Sequence, residues 1–292
     1  MRSSTIFSLL EELSRRLLPA LNSREVARSY AWQLLTHLFS CSRAELCART
    51  LTVLSTEQER QLDAWVEDLV VHQKPIAYLI GRIPFLNLDL NIRPPILIPR
   101  PETEWWSELL IGALHAMPTE AFTCIDLCTG SGCIALAVAK KFPRATVWGV
   151  DISAEAIALA QENAACNKIK NCHFIVSNLY DRLPKDLSAD IIVANPPYLG
   201  EPEFPALDAS VQRWEDRAAL VSGKDGLDLI RQIIAQAPAR LLHRAHSVPP
   251  VWLEIGAGQR RAIGNVLLPP PFSRSQVTED LAGRPRLVRL HY

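Results

Sequence analysis

The sequence predicts an α/β protein: a mostly parallel sheet with an antiparallel last strand, preceded by a small helical bundle. Three observations carry this. From about residue 102, short apolar runs at 122–127, 146–150, 174–176, 191–194 and 251–255 alternate with helical stretches such as 133–142, 154–166 and 227–242. That pattern belongs to a parallel sheet with helices on both faces. The alternation then stops. Residues 276–279 and 287–290 are strand-like runs with only a Gly283-Arg284-Pro285 turn region between them, as in an antiparallel pair. Before residue 75, apolar residues recur at helical spacing instead.

Within 1–74, Ile6, Leu9, Leu10, Leu13 and Leu17 form one stripe. Asn22 with Glu25 has the spacing of a capping box, and Val26, Tyr30, Leu34 and Leu38 form a second stripe. Ser42 with Glu45 and Thr56 with Glu59 mark two further helix starts. The last helix carries Leu62, Trp65, Val66, Leu69 and Val70 before Pro75. Charges in this segment balance, nine basic against nine acidic. Nothing in it suggests chemistry, so it recognises a partner or caps the core, with recognition preferred. Leu86, Leu88, Leu90 and Ile92 then alternate with Asn87, Asp89 and Asn91, and Pro94, Pro95, Pro99 and Pro101 follow. This predicts a short β-hairpin as a linker. The expected domains are therefore 1–74, helical; 75–101, hairpin linker; and 102–292, the α/β domain.

Composition excludes several classes. The 292 residues are 48% hydrophobic and 21% charged, too apolar for disorder. Lys+Arg and Asp+Glu are 31 each, so the basic surplus of a duplex-DNA grip is missing. Residues 240–292 do hold eight Lys/Arg against three Asp/Glu, which suits either an acidic partner or scattered solvated arginines. The longest apolar run, 133–139, is far short of the ~20 residues of a membrane span, and Glu11 and Glu12 break the N-terminal apolar patch, unlike a signal peptide. The seven cysteines include no CxxC pair, so neither a disulfide framework nor a zinc site is expected. Reduced thiols in the cytoplasm, no metal, and a monomer are the expectations. Cys41 and Cys47 read as buried filler, and at least one of Trp105 and Trp106 as core.

Asp126-Leu127-Cys128-Thr129-Gly130-Ser131-Gly132 follows a strand and opens a helix. Glycines let the backbone turn tightly and approach a ligand, and a helix N-terminus offers unpaired N–H groups. Asp151 ends the next strand, where a carboxylate can accept from ribose hydroxyls. Together these indicate an adenosine-type cofactor, and Gly130-x-Gly132-x-x-Ala135 also fits the dinucleotide fingerprint of NAD enzymes.

Asn195-Pro196-Pro197-Tyr198 directly follows the apolar run 191–194, placing it at the carboxyl edge of the sheet, where open α/β sheets bind ligands. The turn suits methylation of an amide or aromatic amino nitrogen, whose delocalised lone pair makes it a poor nucleophile. Two acceptors aimed at the two N–H hydrogens, the Asn195 side-chain carbonyl and the Pro196 backbone carbonyl, would orient it. The prolines hold both rigidly. Tyr198 adds an aromatic face for the substrate or a sulfonium.

With this turn, the loop resembles the class I S-adenosylmethionine methyltransferases, which are Rossmann-like and act here on amino or amide nitrogen. The stretch Ile98-Pro99-Arg100-Pro101-Glu102-Thr103-Glu104 narrows the resemblance to the HemK/PrmC family of release-factor glutamine methyltransferases. Pro75 to Gly81, Asp151-Ile152-Ser153, Lys224-Asp225-Gly226-Leu227, and Glu254-Ile255-Gly256 with Gln259 match in order, over about residues 75–285. The resemblance implies methylation of the glutamine side-chain amide in the Gly-Gly-Gln motif of class I peptide chain release factors, with S-adenosylhomocysteine as product. It implies that Cys128, Thr129, Gly130, Ser131, Gly132 and Asp151 hold the cofactor, with Asn178 and Leu179 at its adenine. Asn195, Pro196, Pro197 and Tyr198 would bind the glutamine, with Asn195, Pro196 and Tyr198 catalytic and Asn195 also bordering the cofactor. Arg100, Glu102 and Thr103 would border the methionine end. The helical domain would recognise the release factor, and neither a membrane nor duplex DNA is an expected partner.

The chain departs from the family in places. Cys128 stands at a common glycine, Asn178 at a common aspartate and Leu179 at a frequent aromatic. Glu215-Asp216 replaces a frequent Glu-Pro, and a single Gly223 replaces a Gly-Gly pair. The alternatives are a DNA adenine methyltransferase or a ribosomal-protein glutamine methyltransferase, then an NAD-dependent oxidoreductase or a non-catalytic cofactor sensor. The turn at 195–198 argues against the last two.

Overall fold

The structure, a computed structural model, describes residues 3–49, 52–119, 121–242, 247–264, 266 and 268–292. Arg2 and Arg244, both counted in the charge balances above, lie outside the described residues. The chain forms two compact units, Met1–Gly81 with Asp208–Trp214, and Arg82–Leu207 with Glu215–Tyr292.

The smaller unit packs helices Ile6–Leu21, Arg24–Leu38, Arg43–Cys47, Thr56–Val70 and Ile76–Ile80. Leu9, Leu10, Leu13 and Leu17 meet Ala27, Ala31, Leu34 and Leu35 in its core. The second helix is therefore turned relative to the expected stripe: Val26 is exposed and the alanines face inward. Small side chains let the helices approach, and a stripe drawn through large residues alone misses them. The caps shift by one residue as well. Asn22 takes a left-handed conformation that closes the first helix, and Ser23 caps the second by accepting from the Val26 N–H. Ser55 with Gln58, not Thr56 with Glu59, forms the later capping box, whereas Ser42 with Glu45 pairs as expected. Cys41 is half-buried and packs against this core, whereas Cys47 is exposed and is not core filler. Trp214 anchors the returning segment: its indole N–H donates to the His72 carbonyl at 2.9 Å, and the Lys74 ammonium lies 5.1 Å from its ring centre.

The larger unit is built on a seven-stranded sheet. Its strands are β1 Thr123–Leu127, β2 Thr146–Asp151, β3 Cys172–Val176, β4 Ile191–Ala194, β5 Val251–Glu254, β6 Arg274–Glu279 and β7 Pro285–His291. The order is β6-β7-β5-β4-β1-β2-β3, with β7 antiparallel to both neighbours and the other pairings parallel. This is the class I methyltransferase topology, with the antiparallel ending expected. β4 and β5 are buried throughout, which is why they read as unbroken apolar runs. Helices Pro101–Leu114, Cys133–Lys141, Ala154–Cys166 and Asp228–Gln236 accompany the sheet. The last is shorter than 227–242 because Pro238 interrupts it, and the chain continues as a 3-10 turn over Ala237–Arg240.

The hairpin pairs Arg82–Phe85 with Leu88–Asn91. Its Phe85, Leu88 and Leu90 are buried with Trp106 and Leu110, so it is part of the larger unit rather than a free connector. Asn163, fully buried on helix Ala154–Cys166, fastens it. Its Oδ1 accepts from the Asn91 N–H at 2.7 Å, and its Nδ2 donates to the Asn91 carbonyl at 3.1 Å and the Ser131 carbonyl at 2.9 Å. One side chain thus joins the hairpin to the glycine loop. Asn163→Ala strands those partners and is expected to cost about 1–3 kcal/mol, read as a lower urea midpoint at unchanged slope. A midpoint equal to wild type would show that water replaces the bonds freely.

Candidate active site

Register places the functional residues. Leu127 on β1 lies opposite Val150 of β2 and Ala194 of β4, and Ala194 lies opposite Leu253 of β5. The next residues, Cys128, Asp151, Asn195 and Glu254, therefore emerge side by side at the carboxyl edge. This is the crevice where an open parallel sheet presents ligand groups.

A cavity of about 280 Å³ opens there. Cys128, Gly130, Asp151, Asn178, Leu179, Asn195 and Pro197 line it, as do Pro95, Ile96, Leu97 and Ile152. Gly130 has a φ of 54° and open space where a Cβ would project, so its backbone faces the cavity bare. Asp151 is organised by the loop itself: one oxygen accepts from the Gly130 N–H and the other from the Ser153 N–H, each at 2.9 Å. Each oxygen keeps a lone pair for a diol. Burial pushes the Asp151 carboxyl above the ordinary aspartate value, and the backbone donors pull it part of the way back. Cys128 also has a left-handed backbone, at φ 57°, which costs a side chain about 1–2 kcal/mol. This explains why glycine suits that position.

Beneath the loop, Asp126 is fully buried. Its Oδ2 accepts from the Thr129 hydroxyl at 2.6 Å and the Ala135 N–H at 3.1 Å, and its Oδ1 has no partner. The turn after β4 is held from two sides. The Asn195 side-chain amide donates to the Thr103 hydroxyl at 3.2 Å. Thr103, in the first turn of helix Pro101–Leu114, donates to Glu254 at 2.7 Å. On the other side, Gln259 donates to the Tyr198 carbonyl at 2.7 Å and accepts from the Gly256 N–H at 2.8 Å. Gly226 passes so close that a Cβ there would collide with the Tyr198 backbone carbonyl oxygen. This accounts for the glycine in Lys224-Asp225-Gly226-Leu227.

Some expected site residues do not line the cavity. The Thr129 and Ser131 side chains are buried beneath the loop, and Gly132 caps the following helix. Pro196 is buried, and Tyr198 stays outside the cavity lining, with burial raising its phenol pKa. Arg100 is taken up by Glu215, with one guanidinium nitrogen 2.6 and 2.7 Å from the two carboxylate oxygens. Glu102 lies 3.5 Å from Arg286, and Thr103 is wholly buried. Trp106 is fully buried core, as expected of one of the tryptophans. Sequence reasoning misses the cavity walls at Pro95–Leu97, where the prolines predict only a loss of regular structure, and the supporting roles of Glu254 and Gln259. The signal for those two was present in the stretch Glu254-Ile255-Gly256 with Gln259. Asp216, at a frequent family proline, uses the N–H a proline lacks: it donates to the Pro95 carbonyl at 2.9 Å and ties two cavity walls together.

Residues 8–81 match the family described as PrmC N-terminal domain, and residues 103–206 the family described as Methyltransferase small domain. A release factor glutamine methyltransferase from Thermodesulfovibrio yellowstonii is 34% identical over 260 residues, covering 89% of this chain and 91% of its own. One from Chlamydia trachomatis is 40% identical over 208 residues, 71% of this chain and 69% of its own. Among solved structures, a 16S rRNA methyltransferase of T. thermophilus in complex with AdoMet and guanosine has a TM-score of 0.52 at 18% identity. It covers 72% of this chain and 50% of its own; that likeness shows the fold alone.

The Asp126 carboxyl gives a pH signature. Burial raises it from 3.8 to about 7 against the pull of Thr129 and Ala135. Between these values the folded protein holds a proton that the unfolded chain has lost. Its contribution is therefore complete below about pH 4 and disappears as pH rises through about 7. Asp126→Asn keeps an acceptor for both donors and does not titrate. In urea unfolding it is expected to gain stability on wild type from pH 4 to about 7 and to level off above that. Parallel curves would mean that Asp126 titrates normally.

Proposed function

The chain belongs to the release factor glutamine methyltransferase family, and from that membership we propose that it methylates N5 of the glutamine in the Gly-Gly-Gln motif of class I peptide chain release factors, using S-adenosylmethionine. The observation that carries the reading is that Asn195 and Pro197 line the same cavity as Gly130 and Asp151. An acceptor turn and an adenosine cradle thus face one another.

The residues fit such a cofactor. Asp151 would take the ribose hydroxyls on its spare lone pairs, and the bare Gly130 backbone would allow close approach. Leu97 and Leu179 offer apolar walls for a flat base, and Asn178 an amide at the rim. When bound, the cofactor supplies an electrophilic methyl group on a sulfonium. Asn195 would accept one hydrogen of the glutamine amide on Oδ1 and Pro196 the other on its backbone carbonyl. Held in this way, the NH₂ group cannot rotate, and its lone pair stays aligned with the methyl group. With the cofactor held by Gly130 and Asp151 and the amide by Asn195 and Pro196, the oriented nitrogen would receive that methyl group, with S-adenosylhomocysteine as the product. The cationic nitrogen then loses its proton to water, so no strong base is needed. Orientation at near-attack distance is the main catalytic contribution. Tyr198 would back the turn and hold its register through the Gln259 clamp.

The helical unit would recognise the folded release factor. The proposal places the enzyme in the cytoplasm as a monomer; no helix among the described residues is long and apolar enough to cross a membrane. The test is mass spectrometry of a class I release factor after incubation with the protein and S-adenosylmethionine. One added methyl on the Gly-Gly-Gln glutamine is expected. Asn195→Ala, at saturating substrates, is expected to lose about 10²–10³-fold in turnover. Methylation at another residue, or an Asn195→Ala variant with more than half of wild-type turnover, would overturn the proposal.

A further inference from the structure

Asn195 can orient a substrate amide only if its own amide faces the right way. Its two ends are nearly equal in size, and a flipped side chain would present N–H donors to the N–H donors of the substrate. Something must choose between the two orientations.

The choice is made two residues away. Trp106, fully buried, donates its indole N–H to Glu254 Oε2 at 2.7 Å. An indole nitrogen can only donate, so Oε2 must accept. The Thr103 hydroxyl reaches the same Oε2, also at 2.7 Å. Glu254 is completely buried, and its Oε1 has no hydrogen-bond partner. As an ionised carboxylate Glu254 can only accept, so the Thr103 hydroxyl must be the donor to Oε2. The single Thr103 hydroxyl hydrogen is thus committed to Glu254, and the Thr103 oxygen offers Asn195 only a lone pair. Asn195 can meet it only with its NH₂ end, the contact seen at 3.2 Å. The carbonyl end is then left for the cavity.

We infer that Thr103 and Glu254 are positioning residues that set the orientation of the Asn195 amide, with Oδ1 turned toward the substrate. This assigns a task to two stretches outside the cavity lining, the Thr103 turn and Glu254-Ile255-Gly256. It moves Thr103 from the methionine end of the cofactor to the back of the acceptor turn. The inference rests on the reading of residues 195–198 as the glutamine site. Thr103 does not touch the reacting atoms. Its loss lets Asn195 sample the wrong orientation, which lowers turnover without weakening the cofactor's own contacts.

The test is a double-mutant cycle on the full chain, using Thr103→Val, which keeps shape and removes the hydroxyl, and Asn195→Ala. Turnover is measured with a release factor at saturating substrates, and S-adenosylmethionine affinity by calorimetry. Thr103→Val alone is expected to lower kcat about 10–100-fold, as for displacement of a group that orients the substrate, with cofactor affinity within about twofold. Thr103→Ser, which keeps the hydroxyl, should recover most of the loss. In the Asn195→Ala background, Thr103→Val should cost almost nothing more, because the residue through which it acts is already gone. Should valine prevent folding at this packed position, Thr103→Ala in the same cycle reads the same coupling. Additive losses, or a Thr103→Val enzyme with wild-type kcat beside an impaired Asn195→Ala, would overturn the relay and leave the substrate reading standing. A fully active Asn195→Ala would remove the substrate reading, and the relay with it.

Discussion

Parallel pairing of β4 between β1 and β5 is the constraint on which the site depends. Each of these strands is anchored by apolar side chains on both faces of the sheet, so its register cannot slip without moving buried residues into the wrong layer. Because Leu127, Ala194 and Leu253 are level, the residues that follow them, Cys128, Asn195 and Glu254, stand together at the sheet's carboxyl edge. Chemistry is then a matter of which side chains stand at that edge. A carboxylate beside the glycine loop faces one part of the cavity. A rigid acceptor turn faces another.

The edge would be loose without the second layer of contacts. Asp126 and Asn163 support the glycine loop from beneath, Asp151 ties Gly130 to Ser153, and Gln259 and Thr103 hold the two ends of the acceptor turn. Most of these groups are buried and make hydrogen bonds that water would otherwise supply. Asp126 and Glu254 are left with one unpartnered oxygen each. Such groups cost stability unless their geometry is kept, and these two lie beneath the site.

Much of this was legible in the sequence wherever the information is local. The strand runs, the glycine loop and the turn at 195–198 each occupy a few consecutive residues, and the antiparallel ending followed from a short turn region. The less legible features depend on distant partners or on the absence of bulk. Val26 reads as core because it is large, yet Ala27 and Ala31 face inward because they are small. The hairpin reads as a linker because its strands are short, although Phe85 and Leu90 bury themselves against Trp106. Thr103 stands 151 residues from Glu254, and no spacing rule connects them. The departures at Cys128 and Asp216 were visible as letters only. Their meaning, a left-handed backbone and an extra N–H donor to Pro95, needed the three-dimensional arrangement.

The central claim is that a strand-edge turn presents two fixed acceptors to a substrate amide. The most direct measurement is a crystal structure of the protein with S-adenosylhomocysteine and a peptide containing Gly-Gly-Gln. The account predicts that the glutamine side-chain nitrogen lies within hydrogen-bond distance of both Asn195 Oδ1 and the Pro196 carbonyl, with its face toward the cofactor sulfur. A glutamine whose carbonyl oxygen, rather than its nitrogen, meets those two groups, or whose side chain lies outside the turn, would contradict it.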